Sequence, residues 1–161
     1  SLYGRPIPPN RHSEDGAKRL FSGPIDGQGR RSIYLQMSIM APPKFLVDFN
    51  LPELKLPTGR RDVTNVPTQA LVMLNDPFVH SMAKHWATQL VKQPHSNIED
   101  RVSEMFVQAV GREPGMAERQ RWAAAVTDFA EAPGGDILKD EVAWRRMAHA
   151  LFNTKEFLYF R

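Results

Sequence analysis

The distribution of proline limits what this chain can fold into more than any other feature. Thirteen of the 161 residues are proline, and most lie at or before Pro77. Proline fixes φ and donates no backbone N–H, so neither a long helix nor a central strand passes through such a stretch. Between residues 1 and 29, Pro6, Pro8, Pro9 and Pro24 are interspersed with Gly4, Gly16, Gly23, Gly27 and Gly29. That segment reads as an extended arm, and residues 30–161 read as a single helical C-terminal domain.

From Arg30 to Met40 the chain is free of Gly and Pro, and Ile33, Leu35 and Met37 alternate. Alternation predicts a short strand near 31–39, with a helix as the alternative. Pro42 and Pro43 end it, Phe45 to Phe49 forms an apolar turn, and residues 50–66 read as connecting loop.

Beyond residue 66 the pattern changes to helical spacing. Pro67 fits the first turn of a helix through Leu74, and Asn75-Asp76-Pro77 stops it and starts the next, with Asp76 as N-cap and Pro77 as first residue. Val79, Met82, Ala83, Trp86 and Leu90 then form one apolar stripe. Ser96-Asn97-Ile98-Glu99 matches the capping box, with Ser96 as cap, ahead of Ile98, Val102, Phe106, Ala109 and Val110. A further helix is predicted from about Ala117 to Ala130. Another follows a cap at Asp136 and carries Ile137, Trp144, Ala148 and Leu151, and a terminal turn follows Asn153. The predicted fold is mainly α: an antiparallel bundle of about four or five helices behind a Pro/Gly-rich, largely irregular N-terminal segment.

With no cysteine in the chain, a thiol nucleophile, Cys-ligated zinc or iron–sulfur clusters and covalent haem attachment are excluded from this segment. No apolar run is long enough to span a membrane. Residues 1–61 hold ten Lys or Arg against five Asp or Glu, and residues 62–161 hold eleven against thirteen, giving balances of +5 and −2 that sum to the net +3. The aromatic residues that would stack bases are not interleaved with the basic ones, which argues against nucleic acid as a partner.

The histidines offer no metal motif, since His80 and His85 stand five apart and point to different sides of a helix. Trp86, Trp122 and Trp144 sit at core spacing, and on that reading Trp86→Ala costs about 3–5 kcal/mol. The chemically suggestive residues are two doublets, Arg30-Arg31 and Arg60-Arg61, the second followed by Asp62. Two guanidinium pairs that converge would hold a carboxylate, phosphate or sulfate. The competing reading has each Arg clamping carbonyls and carboxylates of its own chain.

The strings RRSIYL (30–35), GRRDVTNVPTQALVMLNDPFV (59–79), AVGREP (109–114) and LFNTKEFLYF (151–160) resemble the C-terminal region of a family of large planctomycete proteins of unknown function. Members of that family are often fused to a c-type cytochrome domain. The resemblance extends from Arg30 to the C-terminus. It implies an exported protein of the periplasm or cell envelope, of which this chain is the last domain, with upstream domains of the same protein as its partners. Any haem would belong to an upstream segment, because Cys-x-x-Cys-His is absent here. It brings no catalytic residues. Gln69, Asn75, Asp76 and Pro77, with Asp62 and the Arg doublets, are motif positions.

Two functions follow as expectations: a noncatalytic helical module that completes a larger exported protein, or part of an enzyme or binding site for a sulfated or acidic polysaccharide that uses Arg30, Arg31, Arg60 and Arg61.

Overall fold

A computed structural model describes residues 5–8, 11–12, 19–20, 22–23, 27–53, 55, 57, 59, 67–94, 97–131 and 135–159. The chain divides into two compact units, Ser1–Val72 and Met73–Arg161. The first of these units takes in residues 30–72 together with those before them.

The first unit is organised by backbone pairing around two buried apolar residues. The Ile7 amide donates to the Tyr34 carbonyl at 2.8 Å and the Gln36 amide to the Ile7 carbonyl at 3.0 Å, which forms an isolated parallel bridge between Ile7 and Leu35. Both side chains are buried. Ser22, also buried, donates its hydroxyl to the Ala41 carbonyl at 2.7 Å and accepts from the Ser38 amide at 3.0 Å. Gly23 packs closely beside them, since a Cβ there would lie 3.3 Å from both the Leu35 Cδ2 atom and the Pro8 carbonyl oxygen, tighter than an ordinary contact. Strands β1 (Arg11–His12) and β2 (Arg19–Leu20) form a two-residue antiparallel ladder, with Arg11 opposite Leu20.

The strand predicted near 31–39 is not formed. Ser32–Tyr34 is a turn of 3₁₀ helix, and among the described residues the extended backbone after it forms isolated bridges, at Leu35 with Ile7 and at Ser38 with Ala41, and accepts from the Gly23 amide at Gln36. The alternation of Ile33, Leu35 and Met37 has no sheet to face. Leu35 is buried while Ile33 is 84% exposed. A five-residue helix α1 (Lys44–Asp48) follows Pro43, and Phe45 packs on Phe49 with ring centroids 4.9 Å apart. Helix α2 spans Pro67–Asn75.

The second unit is a helical bundle. Its helices are α3 (Pro77–Leu90), α4 (Ile98–Val110), α5 (Met116–Asp128), α6 (Glu141–Phe152) and the short α7 (Lys155–Leu158). Local chemistry sets their ends. Asp76 accepts from the Phe78 amide at 2.8 Å, satisfying one of the free donors of the α3 first turn, and Pro77 has no donor to satisfy there. Helix α4 is capped by Asn97, which accepts from the Asp100 amide at 2.8 Å, one residue later than the capping box predicted. Ser96 lies outside the described residues. Gly111 ends α4 with φ 73°, a left-handed conformation that glycine adopts without a Cβ penalty.

The helix predicted to start at Asp136 is split. Asp136 caps a 3₁₀ turn over Ile137–Lys139, and Asp140 then caps α6 by accepting from the Val142 and Ala143 amides at 2.9 and 3.1 Å. Ala83, Ala87 and Leu90 of α3, Val102, Met105 and Phe106 of α4, Val126 of α5, and Ala143, Trp144, Met147, Ala148 and Leu151 of α6 form the core. Burying a side chain of the size of Leu90 or Met147 contributes about 1.5–3 kcal/mol. Helices α3 and α6 share the most extensive contact, and each presents two alanines to the core. Trp144 is fully buried. Trp86 and Trp122 are only half-buried at its margin, Trp86 stacked on Phe152 at 5.6 Å and Trp122 edge-on to Phe106 at 5.7 Å.

Candidate functional site

In the first unit, the head of the RRSIYL segment uses one guanidinium internally. Arg30 donates Nη1–H to the Arg5 carbonyl at 2.7 Å and lies 4.1 Å above the Tyr34 ring. Arg31 is exposed at the start of the 3₁₀ turn. Arg60, Arg61 and Asp62 lie outside the described residues, so the convergence of the two doublets stays an expectation. Gln69 on α2 donates its amide to the Asp48 carbonyl at 3.1 Å, tying α2 to the end of α1. Asn75 ends α2, and Asp76 and Pro77 act as cap and first residue of α3.

The second unit carries three polar constellations that the sequence does not bring together. The first is a histidine pair. His80 on α3 and His149 on α6 are stacked, with centroids 4.3 Å apart and planes 25° from parallel. His149 Nε2 lies 3.2 Å from the Met73 carbonyl, and because a carbonyl only accepts, that nitrogen carries the proton. Asn153, one turn along α6 from His149, donates to the His149 carbonyl at 2.8 Å and to the same Met73 carbonyl at 3.4 Å. Burial holds His149 below the ordinary imidazole value of 6.5, His80 adds to the depression, and the Met73 and Leu74 carbonyls oppose it.

The second constellation is centred on Arg112, in the turn after α4. It donates to both oxygens of Glu118, at 2.8 and 3.1 Å, and to both oxygens of Glu156, with Nε 3.1 Å from Oε1. Glu118 also accepts from the Gly115 amide at the head of α5. The third is Arg101, 1% exposed on α4. It donates to the Leu138 carbonyl and, at 2.9 Å, to the Gln93 carbonyl, and its guanidinium lies 5.0 Å over the Trp144 ring. Its Nε atom has no hydrogen-bond partner among the described residues. Arg101 was legible in principle, since it falls between Ile98 and Val102 on the same stripe. A charged residue at one stripe position reads as a flank of that face.

These groups hold and orient backbone. Among the described residues, no set of three or more His, Asp or Glu side chains is arranged to hold a metal ion.

The family model PSD1, described as protein of unknown function (DUF1553), matches residues 1–126. The chain belongs to this family. The PSD1 match takes in the strings at 30–35, 59–79 and 109–114, starts earlier than the Arg30 at which the resemblance began, and stops before LFNTKEFLYF. Of the residues described above, Arg30, Gln69, Asp76, His80, Arg101, Arg112 and Glu118 fall inside the PSD1 match, while His149 and Glu156 lie beyond it. No curated protein and no solved structure matches the chain.

Proposed function

We propose that this PSD1-family chain is a noncatalytic helical module of a larger exported protein of the periplasm or cell envelope, and that it works by packing against upstream domains of that protein. The observation that carries this reading is where the arginines at motif positions spend their donors. Arg30 is given to a carbonyl and a ring, and Arg112 to two carboxylates. Arg112, with all three of its nitrogens engaged, has little left for a substrate anion, and Arg30 supports the chain's own backbone. Ile33, inside the RRSIYL string, and Met40, five residues after it, are 84% and 87% exposed, and apolar side chains so placed suit a protein partner. The planctomycete origin, the c-type cytochrome association and the envelope location rest on the family resemblance, and a haem would sit in an upstream segment. No helix among the described residues is long and apolar enough to cross a membrane.

The test is to mix this chain with the separately produced remainder of the protein and measure association by calorimetry. The expected result is binding that weakens at least about tenfold, or about 1.4 kcal/mol, in an Ile33→Asp, Met40→Asp double variant. Retention of the isolated chain on a sulfated polysaccharide at about 0.15 M salt, lost in an Arg31→Ala, Arg60→Ala, Arg61→Ala variant, would instead establish the anionic-polysaccharide reading.

A further inference from the structure

We propose that His80 and His149 form a pH-sensitive latch in the second unit: with at least one ring neutral the stacked pair holds the last residues of α2 against α6, and with both rings protonated the stack opens and that corner is released. The geometry supplies each part. The two rings come from the two helices with the most extensive contact, α3 and α6, and stack at 4.3 Å. At that separation two imidazolium ions repel, whereas a neutral ring stacks on either form. The Met73 carbonyl, at the end of α2, takes one donor from His149 and one from Asn153, so α6 grips this corner through the same face that carries the stack.

The charges near the pair in sequence are mostly cationic. Helix α2 has no charged residue. The Asp76 carboxylate, four residues before His80 at the head of α3, accepts from the Phe78 amide, keeps its charge and is the anion placed to offset part of the repulsion, without an ion pair to either ring. The cations one turn away in sequence are Lys84 on α3 and Arg145 and Arg146 on α6, the last paired with Glu131. On α7, Lys155 is a further cation and Glu156 is held by Arg112. Among the described residues neither imidazole is ion-paired to a carboxylate.

The sign of the pH dependence follows. His149 sits below the ordinary value of 6.5, chiefly through burial and then through His80. Between that lowered value and 6.5 the unfolded chain binds more protons than the folded one, so stability rises with pH. The contribution is fully present above 6.5 and is lost as the pH falls toward the folded value.

The test uses the intact chain, with imidazole C–H resonances followed by NMR from pH 7.5 to 5 and chemical unfolding measured over the same range. The unaltered chain is compared with His149→Gln, which keeps a donor for the Met73 carbonyl, and with His80→Gln. The expected result is a His149 midpoint below 6.5 that moves up in His80→Gln. Acidification should weaken the unaltered chain and speed amide exchange at residues 73–76, and His149→Gln should lose most of that pH dependence. A His149 midpoint at or above 6.5, or the same loss of stability in all three proteins, overturns the proposal. If a variant does not fold, the unaltered chain decides: a low midpoint with faster exchange at 73–76 on acidification supports the latch, and a midpoint of 6.5 or above, or unchanged protection there, sinks it.

Discussion

Arg112 reaches Glu156 across 44 residues of sequence, its Nε 3.1 Å from the carboxylate oxygen, while its Nη1 donates to Glu118 at 2.8 Å. One guanidinium thereby fixes the turn between α4 and α5 and holds α7 to it, and it lies 5.6 Å over the Phe106 ring at the edge of the core. It also joins two of the motif strings, AVGREP and LFNTKEFLYF.

Replacing this residue measures the network. The side chains of Arg112 and Glu156 are 39% and 53% exposed, so water and salt screen them and the gain per pair is small. The bidentate geometry and the shared cation place Arg112→Ala at a cost of about 1–2 kcal/mol at low salt. That cost should shrink at about 1 M salt, where the screening length falls to roughly 3 Å. Urea unfolding at the two salt concentrations checks it.

The same network sets an acid limit distinct from that of the histidines. The Arg112 hydrogen bonds hold the Glu118 carboxyl below its ordinary value of 4.5, against an opposing effect of burial. A depressed carboxyl contributes stability that is present above the ordinary value and lost as the pH falls through the folded one. The unaltered chain should therefore lose stability below about pH 4.5 more steeply than Arg112→Ala. Denaturation curves between pH 5 and 3, read as the difference between the two proteins, test this.

The tryptophans divide by burial, so their truncations should differ. Trp144 is fully buried and donates its indole N–H to the Ile137 carbonyl at 2.7 Å. Trp144→Ala leaves a cavity and an unsatisfied acceptor, at a cost of about 3–5 kcal/mol. Trp86 keeps part of its ring in solvent and donates to Gln108 on an exposed face. Trp86→Ala should cost about 2 kcal/mol, below the figure that core spacing alone implies. Chemical denaturation of the two variants side by side decides whether burial or spacing governs.

What could be read from the sequence was what neighbouring residues determine. Asp76 and Pro77 act within one turn of themselves, so cap and first residue were assigned correctly. The stripes of α3, α4 and α6 led to a helical bundle because spacing alone places those residues on one face. The reading failed where two local signals competed or where the partner was distant. Asp136 and Asp140 are both good caps, four residues apart, and only packing selects the second for α6. Leu35 alternates with its neighbours like a strand residue, yet Ile7 is its bridging partner and supplies no sheet. His80 and His149, or Arg112 and Glu156, meet only once the helices are docked, and no spacing in the chain signals it.

Arg101 offers the sharpest test of that distinction, because a buried cation in a helix core is costly unless the fold uses it. Burial lowers its pKa, Glu104 and Asp136 oppose the shift, and the guanidinium remains charged. Its return is geometric: Nη1 and Nη2 join the Leu138 carbonyl, just before α6, to the Gln93 carbonyl, just after α3. Arg101→Ala removes both bridges and opens a void beside Trp144, at about 3–5 kcal/mol. Arg101→Met fills most of that void without a charge and leaves the two carbonyls unpaired, the one at exposed Gln93 being free to turn to water. It should cost about 1–3 kcal/mol. Arg101→Lys keeps the charge on a shorter side chain that lacks the two separate donor nitrogens of the guanidinium fork, so it should be no better than Met. If Lys restores full stability in urea denaturation while Met does not, the positive charge matters and not the two-point bridge.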